Sequence, residues 1–376
     1  MIGSILHNAV TPIGVDLGAS GARLLQLRCA TGRSAVIAAA RADAGGEADD
    51  EARLGALAQQ IARRLDTGAF RGRRCVVSLD DRALRVKSMR LPAMSDEETD
   101  QAVRVDGAER LGFAPEQAEI GWIRAGEVRQ GDEAKEEIIL VGASREHVER
   151  VIESVSAVGL VPLAIEPGFQ ACARAIGRQR RRKGEREQTH LLVDVGSRAS
   201  GVALIRGDRV AFYKQIEWGG DTLDAAASAA LGLDAATVRD LRRQRRTGGE
   251  VDERVDRAVF DAVRPLLDAL AHEVTLCLRY ALVTFRGDRP ESVIVAGGEA
   301  EEPRLVERLG EALGVPASAA RPLEGMSLAD ATFAGADRKG SLAQWSTAAG
   351  LALRYETPAR TRGKPREERR APRSAA

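Results

Sequence analysis

The chain has 376 residues, of which 44% are hydrophobic, 30% charged and 3% aromatic, and its formal net charge is +1 at pH 7. This length allows a bilobal unit with a substantial core, and the balanced charge excludes a global field that would attract nucleic acid. No uninterrupted apolar run approaches the ~20 residues of a membrane span, so any membrane association is expected to be peripheral. The four cysteines are scattered singly, which indicates a reduced, cytoplasmic protein.

The first quarter of the chain mixes strands with one helix. The segments "IGVDLG", "ARLLQL" and "SAVIAAARAD" predict three strands, of which the first two are joined through a glycine loop. Apolar residues at helical spacing in "EARLGALAQQIARRL" predict a helix, and "CVVSL" predicts a short buried strand after it. Strands combined with a crossover helix indicate an α/β domain.

A block of different character follows. The capping-box pattern "SDEE" begins a predicted helix, on which Ala102, Val105 and Ala108 share one face. Two predicted strands and a second helix, which ends near a glycine, complete the block. This mixture indicates a small α+β insertion over residues 91–159.

The opening pattern returns after a basic linker. "LLVDVGSRASGVALI" aligns with "IGVDLGASGARLLQL", so that Asp194 matches Asp16 and one loop glycine matches the other. An internal repeat of this kind indicates a duplicated structural unit. The chain is therefore predicted to contain two facing lobes built on one plan.

Each repeated loop has the features of a phosphate site. Glycines let the backbone turn sharply and bring its N–H groups close to a ligand, so the loop can cradle phosphate oxygens. The aspartate cannot contact phosphate favourably, but it can hold a hydrated Mg²⁺ that is shared with the phosphates. One such segment alone is more simply a turn, whereas two matched copies favour a triphosphate held from both sides.

A third glycine-rich element lies late in the chain. The segment "SVIVAGGEAEEPRLVERLGEALG" predicts a buried strand, then a glycine pair, then an amphipathic helix. A glycine pair in this place permits close approach of the backbone to a flat ligand such as a purine. Taken alone, it is also an ordinary strand-to-helix connection.

Together these elements resemble the actin-like ATPase superfamily, which includes sugar kinases, the 70-kilodalton heat-shock chaperones and the division protein FtsA. Three further segments resemble its PilM family of type IV pilus assembly proteins: "RVKSMRLPAMSDEE", the second repeat with its continuation "GGDTLDAAASAALGLD", and "STAAGLALR". The resemblance covers about Pro12 to Arg354. It implies an α/β, bilobal actin-like (ribonuclease H-like) ATPase fold with an FtsA-type inserted α+β subdomain.

The resemblance also implies a division of the chain into parts. These are a first actin-like lobe (11–90 with 160–178), the inserted α+β subdomain (91–159), a basic linker (179–189), a second lobe (190–355) and a basic, disordered tail (356–376). The nucleotide is expected in the cleft between the two lobes.

ATP and Mg²⁺ are the cofactors that the resemblance implies, with the metal held by Asp16 and Asp194. The residues that it implies for cofactor binding are Asp16, Gly18, Ser20, Gly21, Arg23, Asp194, Gly196, Ser197, Ser200, Gly219, Gly220, Arg242, Gly297, Gly298 and Glu299. No residue is predicted to be catalytic, and ATP is expected as a structural or switching ligand with at most slow hydrolysis. The sequence departs from the family pattern at Arg239, where relatives carry an acidic residue close to the adenosine.

The resemblance implies a protein partner as well. PilM proteins bind the cytoplasmic N-terminal peptide of PilN, a single-span inner-membrane protein, in a groove between the first lobe and the insertion. Arg90, Leu91 and Pro92 are the residues that this resemblance implies for the contact. The protein is expected in the cytoplasm, peripheral to the inner membrane through this partner, without a nucleic-acid ligand, and a homo-oligomer stays open.

Three alternatives stay open on the sequence alone. An actin-like component of a type II secretion system, similar to the cytoplasmic part of GspL, shares the expected fold. A sugar-kinase-like phosphotransferase would use the same cleft, although no segment supplies a sugar site with a catalytic aspartate. An FtsA-like filament former would carry a C-terminal amphipathic helix, whereas the tail after Arg354 is basic and contains several prolines.

Overall fold

The computed structural model describes residues 9–30, 33–44, 50–130, 133–179, 184, 187–285, 289–335 and 338–355. The predicted tail (356–376) and most of the predicted linker (179–189) lie outside these ranges. The helices are α1 (Asp50–Leu65), α2 (Asp96–Leu111), α3 (Arg145–Ala157), α4 (Gly168–Gly177), α5 (Gly220–Leu231), α6 (Ala235–Arg246), α7 (Glu253–Phe285), α8 (Leu305–Leu313) and α9 (Ser346–Ala352).

The strands form three sheets within the described residues. They are β1 (Ala9–Val10), β2 (Ile13–Gly18), β3 (Gly21–Ala30), β4 (Arg33–Asp43), β5 (Arg74–Ser78), β6 (Arg85–Leu91), β7 (Ala118–Gln130), β8 (Glu133–Ser144), β9 (Val161–Glu166), β10 (Thr189–Val195), β11 (Ser200–Arg206), β12 (Arg209–Ile216), β13 (Ser292–Ala296), β14 (Ala317–Ala319), β15 (Met326–Ser327) and β16 (Thr332–Ala334).

Two of the sheets repeat one strand order. The first contains β4-β3-β2-β5-β9, and the second contains β12-β11-β10-β13-β14. In each sheet three consecutive antiparallel strands adjoin two strands that run parallel to the innermost one. The short strands β1, β15 and β16 extend the first sheet only. The repeat seen in the sequence therefore corresponds to two lobes of the same topology.

The inner strands are apolar because both faces of each sheet are covered. Leu191, Leu192 and Val193 of β10 are consecutive and all buried, as expected for an inner strand that is covered on both faces. On one side α7 packs across the second sheet. The buried residues on its inner face recur at helical spacing and include Val259, Val263, Leu267, Leu270 and Val274.

Helix α9 crosses β2 and α4 in the first lobe at two glycines. A methyl group on Gly350 would lie 1.7 Å from the carbonyl oxygen of Ala171, and one on Gly14 would lie 2.1 Å from the carbonyl oxygen of Ala348. Arg174 of α4 reinforces the crossing, since its Nη1 donates to the Gly350 carbonyl oxygen at 2.8 Å. Backbone therefore contacts backbone at this crossing, which leaves no room for a side chain.

A third sheet, of order β6-β8-β7, lies between two parts of the molecule. On β8, Ile138 and Leu140 belong to a core cluster with residues of α2. The alternate residues Ile139 and Val141 belong to the same cluster as Phe212 of the second sheet. Because successive side chains of a strand point to opposite faces, β8 is apolar on both of its faces.

Helix α2 covers one face of this third sheet. It begins at the predicted capping box, in which Ser95 Oγ accepts from the Glu98 N–H and the Glu98 carboxylate accepts from the Ser95 N–H. The predicted face does not pack as a unit, because Ala108 is buried whereas Val105 is 70% exposed. The residues of α2 that are buried are Thr99, Val103, Gly107, Ala108 and Leu111.

Candidate functional site

The two repeated loops open into one cleft between the first two sheets. In the first loop, the β2–β3 hairpin pairs Asp16 with Arg23 and closes at Gly18 and Gly21. In the second, β10 and β11 pair Asp194 with a glycine at the corresponding position. Both aspartates line the cleft, so the duplicated hairpins bring the two carboxylates to a common site.

Most of the residues predicted for cofactor binding line this cleft. They are Asp16, Gly18, Ser20, Arg23, Asp194, Gly196, Ser197, Gly220, Gly297, Gly298 and Glu299. Arg23 also reaches across the cleft, since a methyl group on Gly298 would lie 3.1 Å from its Nη2 atom. The three glycine-rich elements found in the sequence are thus contiguous in space.

Four other predicted residues are not part of the cleft wall: Gly21, Ser200, Gly219 and Arg242. A methyl group on Gly219 would lie 2.6 Å from the carbonyl oxygen of Ser197, so this glycine lets α5 begin directly behind the second loop. Ser200 is buried, and its Oγ donates to the carbonyl oxygen of Trp218 at 2.7 Å. These residues shape the site without facing it.

Negative charge is concentrated at the floor of the cleft. Burial raises the pKa of Asp16, although Arg23 at 3.9 Å and a hydrogen bond from Ser78 Oγ at 3.0 Å oppose the shift. Burial, followed by the charge of Asp16, raises the pKa of Asp194 to about 6. A pair of desolvated carboxylates with raised pKa values is typical of a functional site.

Asp80 and Asp81, which were not predicted as site residues from the sequence, line the same cleft. They follow β5, which runs parallel to β2 with Ser78 opposite Asp16. Burial raises the pKa of Asp81 well above its usual range, and the charges of Asp194, Asp80 and Asp16 raise it further. Two aspartates directly after a buried strand were the available signal, because the carboxyl ends of parallel strands lie at one edge of a sheet.

Within the described ranges, no three His, Cys, Asp or Glu side chains are arranged to hold a metal ion by themselves. Mg²⁺ needs fewer protein ligands, because it usually keeps several waters and binds through one or two carboxylates together with phosphate oxygens. Asp16 and Asp194 fit such an ion. Gly297 leaves space for the Asp194 carboxylate, since a methyl group at this glycine would lie 2.4 Å from Asp194 Oδ1.

At its other end the cleft is bounded by α6, and Arg239, Arg243 and Arg246 of this helix line it. Behind them, Arg242 is completely buried in an ion-pair network. Its guanidinium donates to Asp224 Oδ1, to Glu299 Oε2, to Glu302 Oε2 at 2.7 Å and to the Gly220 carbonyl oxygen at 3.0 Å. Arg242 is therefore a structural cation and is not available to a ligand in the cleft.

Glu299 connects the late glycine pair to this network. Its Oε2 accepts hydrogen bonds from Arg242 and Arg246, and its Oε1 lies against Gly220, where a methyl group would be 2.5 Å away. Burial favours the protonated form, but the charges of Arg246 and Arg242 outweigh it and hold the pKa of Glu299 below its ordinary value. Glu299 is thus ionised at neutral pH.

A family model for type IV pilus assembly protein PilM matches residues 14–356. The chain belongs to the PilM family. The PilM-PilN type IV pilus biogenesis complex is similar to it in structure, with 23% identity over 92% of this chain and 98% of that chain and a TM-score of 0.75. The ethanolamine utilization protein EutJ from Carboxydothermus hydrogenoformans is 16% identical over 93% of this chain and 91% of its own, with a TM-score of 0.52.

These comparisons confirm the family and the actin-like ATPase fold that the sequence predicts. Of the interpretations weighed from the sequence, the family match supports pilus assembly over the phosphotransferase, secretion and filament alternatives. None of the helices that the structure describes combines the length and the apolar character needed to cross a membrane.

The three residues predicted for peptide contact lie at the end of β6, an edge strand of the third sheet. Arg90 Nε donates to Glu137 Oε2 at 3.0 Å, Leu91 packs on the cluster beneath α2, and Pro92 is exposed. A shallow surface groove begins directly after them. This α2 groove is lined by Ala93, Met94, Glu98, Gln101, Ala102, Val105 and Asp106.

Replacing Asp194 by asparagine is expected to stabilise the ligand-free protein at about pH 8, by on the order of 1–3 kcal/mol. The folded-state pKa of about 6 lies above the value of ~3.9 in an unfolded chain, so the ionised carboxylate disfavours folding at high pH. This cost disappears as the pH falls from about 6 to about 4, and the advantage of the variant disappears with it. Urea unfolding at several pH values measures the difference.

The matched control for that experiment is Asp221→Asn, which removes a 45% exposed carboxylate from the same cleft. It is expected to change stability by less than about 1 kcal/mol, because exposed ion pairs contribute little. Equal stability of the wild type and Asp194→Asn at about pH 8 would contradict the prediction.

Proposed function

We propose that the protein is a nucleotide-binding scaffold of type IV pilus assembly. In this proposal it holds ATP with Mg²⁺ in the cleft and binds the cytoplasmic tail of a PilN-like inner-membrane protein, which brings it to that membrane. Nucleotide binding is supported by one observation above all: the two matched loops, each with its own aspartate, line the same cleft. Family membership carries the pilus-assembly half.

The two loops have complementary tasks in this proposal. The backbones around Ser20 and Ser197 present N–H groups to phosphate oxygens from opposite sides of the cleft. Asp16 and Asp194 hold the water shell of Mg²⁺, which when bound offsets part of the phosphate charge. Arg23 lies between the two lobes and adds a fixed positive charge beside the phosphates. The ligand then connects the lobes and favours one arrangement of them.

No general base for hydrolysis follows from this arrangement. Asp16 and Asp194 are assigned to the metal, and burial raises the pKa of Asp81, which disfavours the ionised form that could accept a proton. Phosphoryl transfer to water needs an oriented nucleophile and charge stabilisation on the γ-phosphate. We therefore assign ATP the role of a structural or switching ligand rather than a fuel.

The α2 groove supports the partner half of the proposal. Met94 and the exposed Val105 give it apolar surface, while Glu98 and Asp106 add negative charge to its lining. An extended segment with apolar anchors and basic flanks is complementary to such a surface. The related PilM-PilN complex contains a partner of the class that this proposal needs.

The test is a fluorescence titration with the labelled cytoplasmic N-terminal peptide of the PilN homologue from the same gene neighbourhood, with and without ATP and Mg²⁺. Val105→Glu is expected to weaken binding about tenfold or more, because one buried valine contributes roughly 1.5 kcal/mol. Val283→Glu is the matched control, since Val283 is 81% exposed on α7 and outside the groove.

Each part of the proposal has its own contradicting outcome. Absence of peptide binding under both conditions removes the partner. Equal weakening by the two valine substitutions removes the α2 groove as its site. Absence of ATP binding in calorimetry with Mg²⁺ present removes the nucleotide, and it leaves the partner and the family unaffected.

A further inference from the structure

The carboxylate of Glu299 has one engaged oxygen and one unengaged oxygen. Its Oε2 accepts from Arg242 Nη2 at 2.5 Å and also from Arg246 Nη1. Among the residues that the structure describes, none donates a hydrogen bond to Oε1, which lies beside Gly220, and both residues line the cleft. The side chain is only 9% exposed, so the cleft contains an almost buried acceptor with unused capacity.

The other carboxylates of the network have no such capacity. Asp224 uses Oδ1 for Arg242 and Oδ2 for Arg239, at 3.3 Å. Glu302 uses Oε2 for Arg242 and Oε1 for Arg245, at 3.1 Å, and it does not line the cleft. Glu299 is therefore the network member that combines an unengaged oxygen with a position in the cleft wall.

The network also fixes this oxygen in place. Arg242 is completely buried and is held by three carboxylates, and Arg246 donates to the same oxygen of Glu299 as Arg242 does. A carboxylate that receives two guanidinium hydrogen bonds loses little further freedom when a ligand binds. Its charge is maintained by the same two cations. Oε1 is thus a preorganised hydrogen-bond acceptor.

Its position determines which part of a ligand it meets. If the phosphates lie at the loops around Ser20 and Ser197, the rest of the ligand extends along the cleft toward α6 and the glycine pair. The arginines there cannot accept hydrogen bonds, because a guanidinium has donors only. An anionic ligand group would be repelled by Glu299. A neutral O–H or N–H donor satisfies it.

We propose that Glu299 Oε1 selects the nucleoside part of the ligand by accepting a hydrogen bond from a neutral hydroxyl or amino group. This inference rests on the proposed nucleotide function and assigns the selective contact to the glycine-pair loop instead of to α6. Two donors of a nucleotide share this chemistry, the 2′-hydroxyl of the ribose and the 6-amino group of adenine. Glu299 acts in binding and takes no part in a chemical step.

Binding of ATP, 2′-deoxy-ATP and inosine triphosphate in the presence of Mg²⁺ tests the proposal. The wild type is expected to bind ATP about tenfold or more tightly than one of the two analogues, because a hydrogen bond to a charged group contributes roughly 1.5–3 kcal/mol. The analogue that binds weakly identifies the donor: loss with 2′-deoxy-ATP points to the ribose, and loss with inosine triphosphate points to the amino group.

Glu299→Met removes the acceptor at similar length and is expected to reduce that preference to about onefold to threefold. Glu302→Met is the matched control, since it removes a carboxylate from the same arginine outside the cleft and is expected to retain the preference. For each variant, the affinity for ATP is divided by the affinity for the analogue. This ratio cancels the general effect of the lost negative charge, which is the same in both variants. Glu299→Gln, which keeps the shape of the side chain, serves if the methionine variant does not fold, and it is expected to lose most of the preference.

Two results overturn the inference and leave the proposed function standing. One is a wild type that binds all three triphosphates within about threefold of each other. The other is a preference that survives in Glu299→Met or Glu299→Gln. A wild type that binds no ATP contradicts the proposed nucleotide function itself, and the inference fails with it.

Discussion

Replacing Gly350 by alanine is expected to lower the free energy of unfolding by more than about 3 kcal/mol. The added methyl group would lie 1.7 Å from the Ala171 carbonyl oxygen. This oxygen belongs to the backbone, so it cannot rotate away from the clash as a flexible side chain could. Helix α9 must therefore withdraw from α4 and β2, which exposes part of the first-lobe core. Chemical denaturation monitored by circular dichroism measures the loss.

Gly55→Ala is the matched control for this prediction. Gly55 is also a helical glycine, but it is exposed on α1 with no atom within 4 Å of an added methyl group. Alanine there is expected to stabilise the protein by roughly 0.5–1 kcal/mol, because glycine is the poorer helix former. Opposite signs for the two substitutions support the close crossing of α9 and α4, and a small effect at Gly350 would contradict it.

Replacing Arg242 by methionine is expected to cost about 3–5 kcal/mol of stability, because removing one partner of a buried ion pair leaves uncompensated charge. The variant loses the cation shared by Asp224, Glu299 and Glu302, all three of which are buried. Arg239→Met tests the exposed end of the same network. It is expected to cost less than about 1 kcal/mol, since the Arg239 side chain is 57% exposed.

The pH dependence of the Arg242 variant provides a second measurement. In the wild type the arginines hold the pKa of Glu299 low, so its contribution to stability is present at neutral pH and is lost as the pH falls. Without Arg242, only Arg246 opposes the effect of burial on Glu299, so the pKa of Glu299 rises and the folded variant gains relative stability as the pH falls and this carboxylate is protonated. The deficit of the variant is therefore expected to shrink between about pH 7 and pH 4. A deficit that is constant over this range would show that the loss is not electrostatic.

The paired loops were predictable because their signal is local. Asp16 and Asp194 each stand next to glycines in a strand–loop–strand segment, and the repetition of that segment makes the pattern specific. The strand order of the two sheets then follows from duplication of one unit. Asp81 was missed because its place in the cleft depends on the parallel pairing of β5 with β2, which no short motif encodes.

The inner face of α6 was not predictable from its own residues. The row that lines the cleft contains Arg239, Arg243 and Arg246, and the buried row contains Val238, Arg242 and Arg245. Both rows have the same helical spacing and both are rich in arginine, so amphipathicity gives no preference for either. Burial of Arg242 depends on Glu299 and Glu302, which are distant in sequence. Tertiary charge pairing, rather than the local pattern, decides the orientation of this helix.

The two-faced packing of β8 connects the second lobe to the elements beneath the α2 groove. Ile138 and Ile139 are adjacent in the chain, yet the first packs with the elements beneath α2 and the second with the core of the second lobe. A rotation of the second lobe that kept Ile139 and Val141 packed would carry the whole β6-β8-β7 sheet, and α2 with it. In the proposed function, a change in the angle between the two lobes would therefore displace the α2 groove as well.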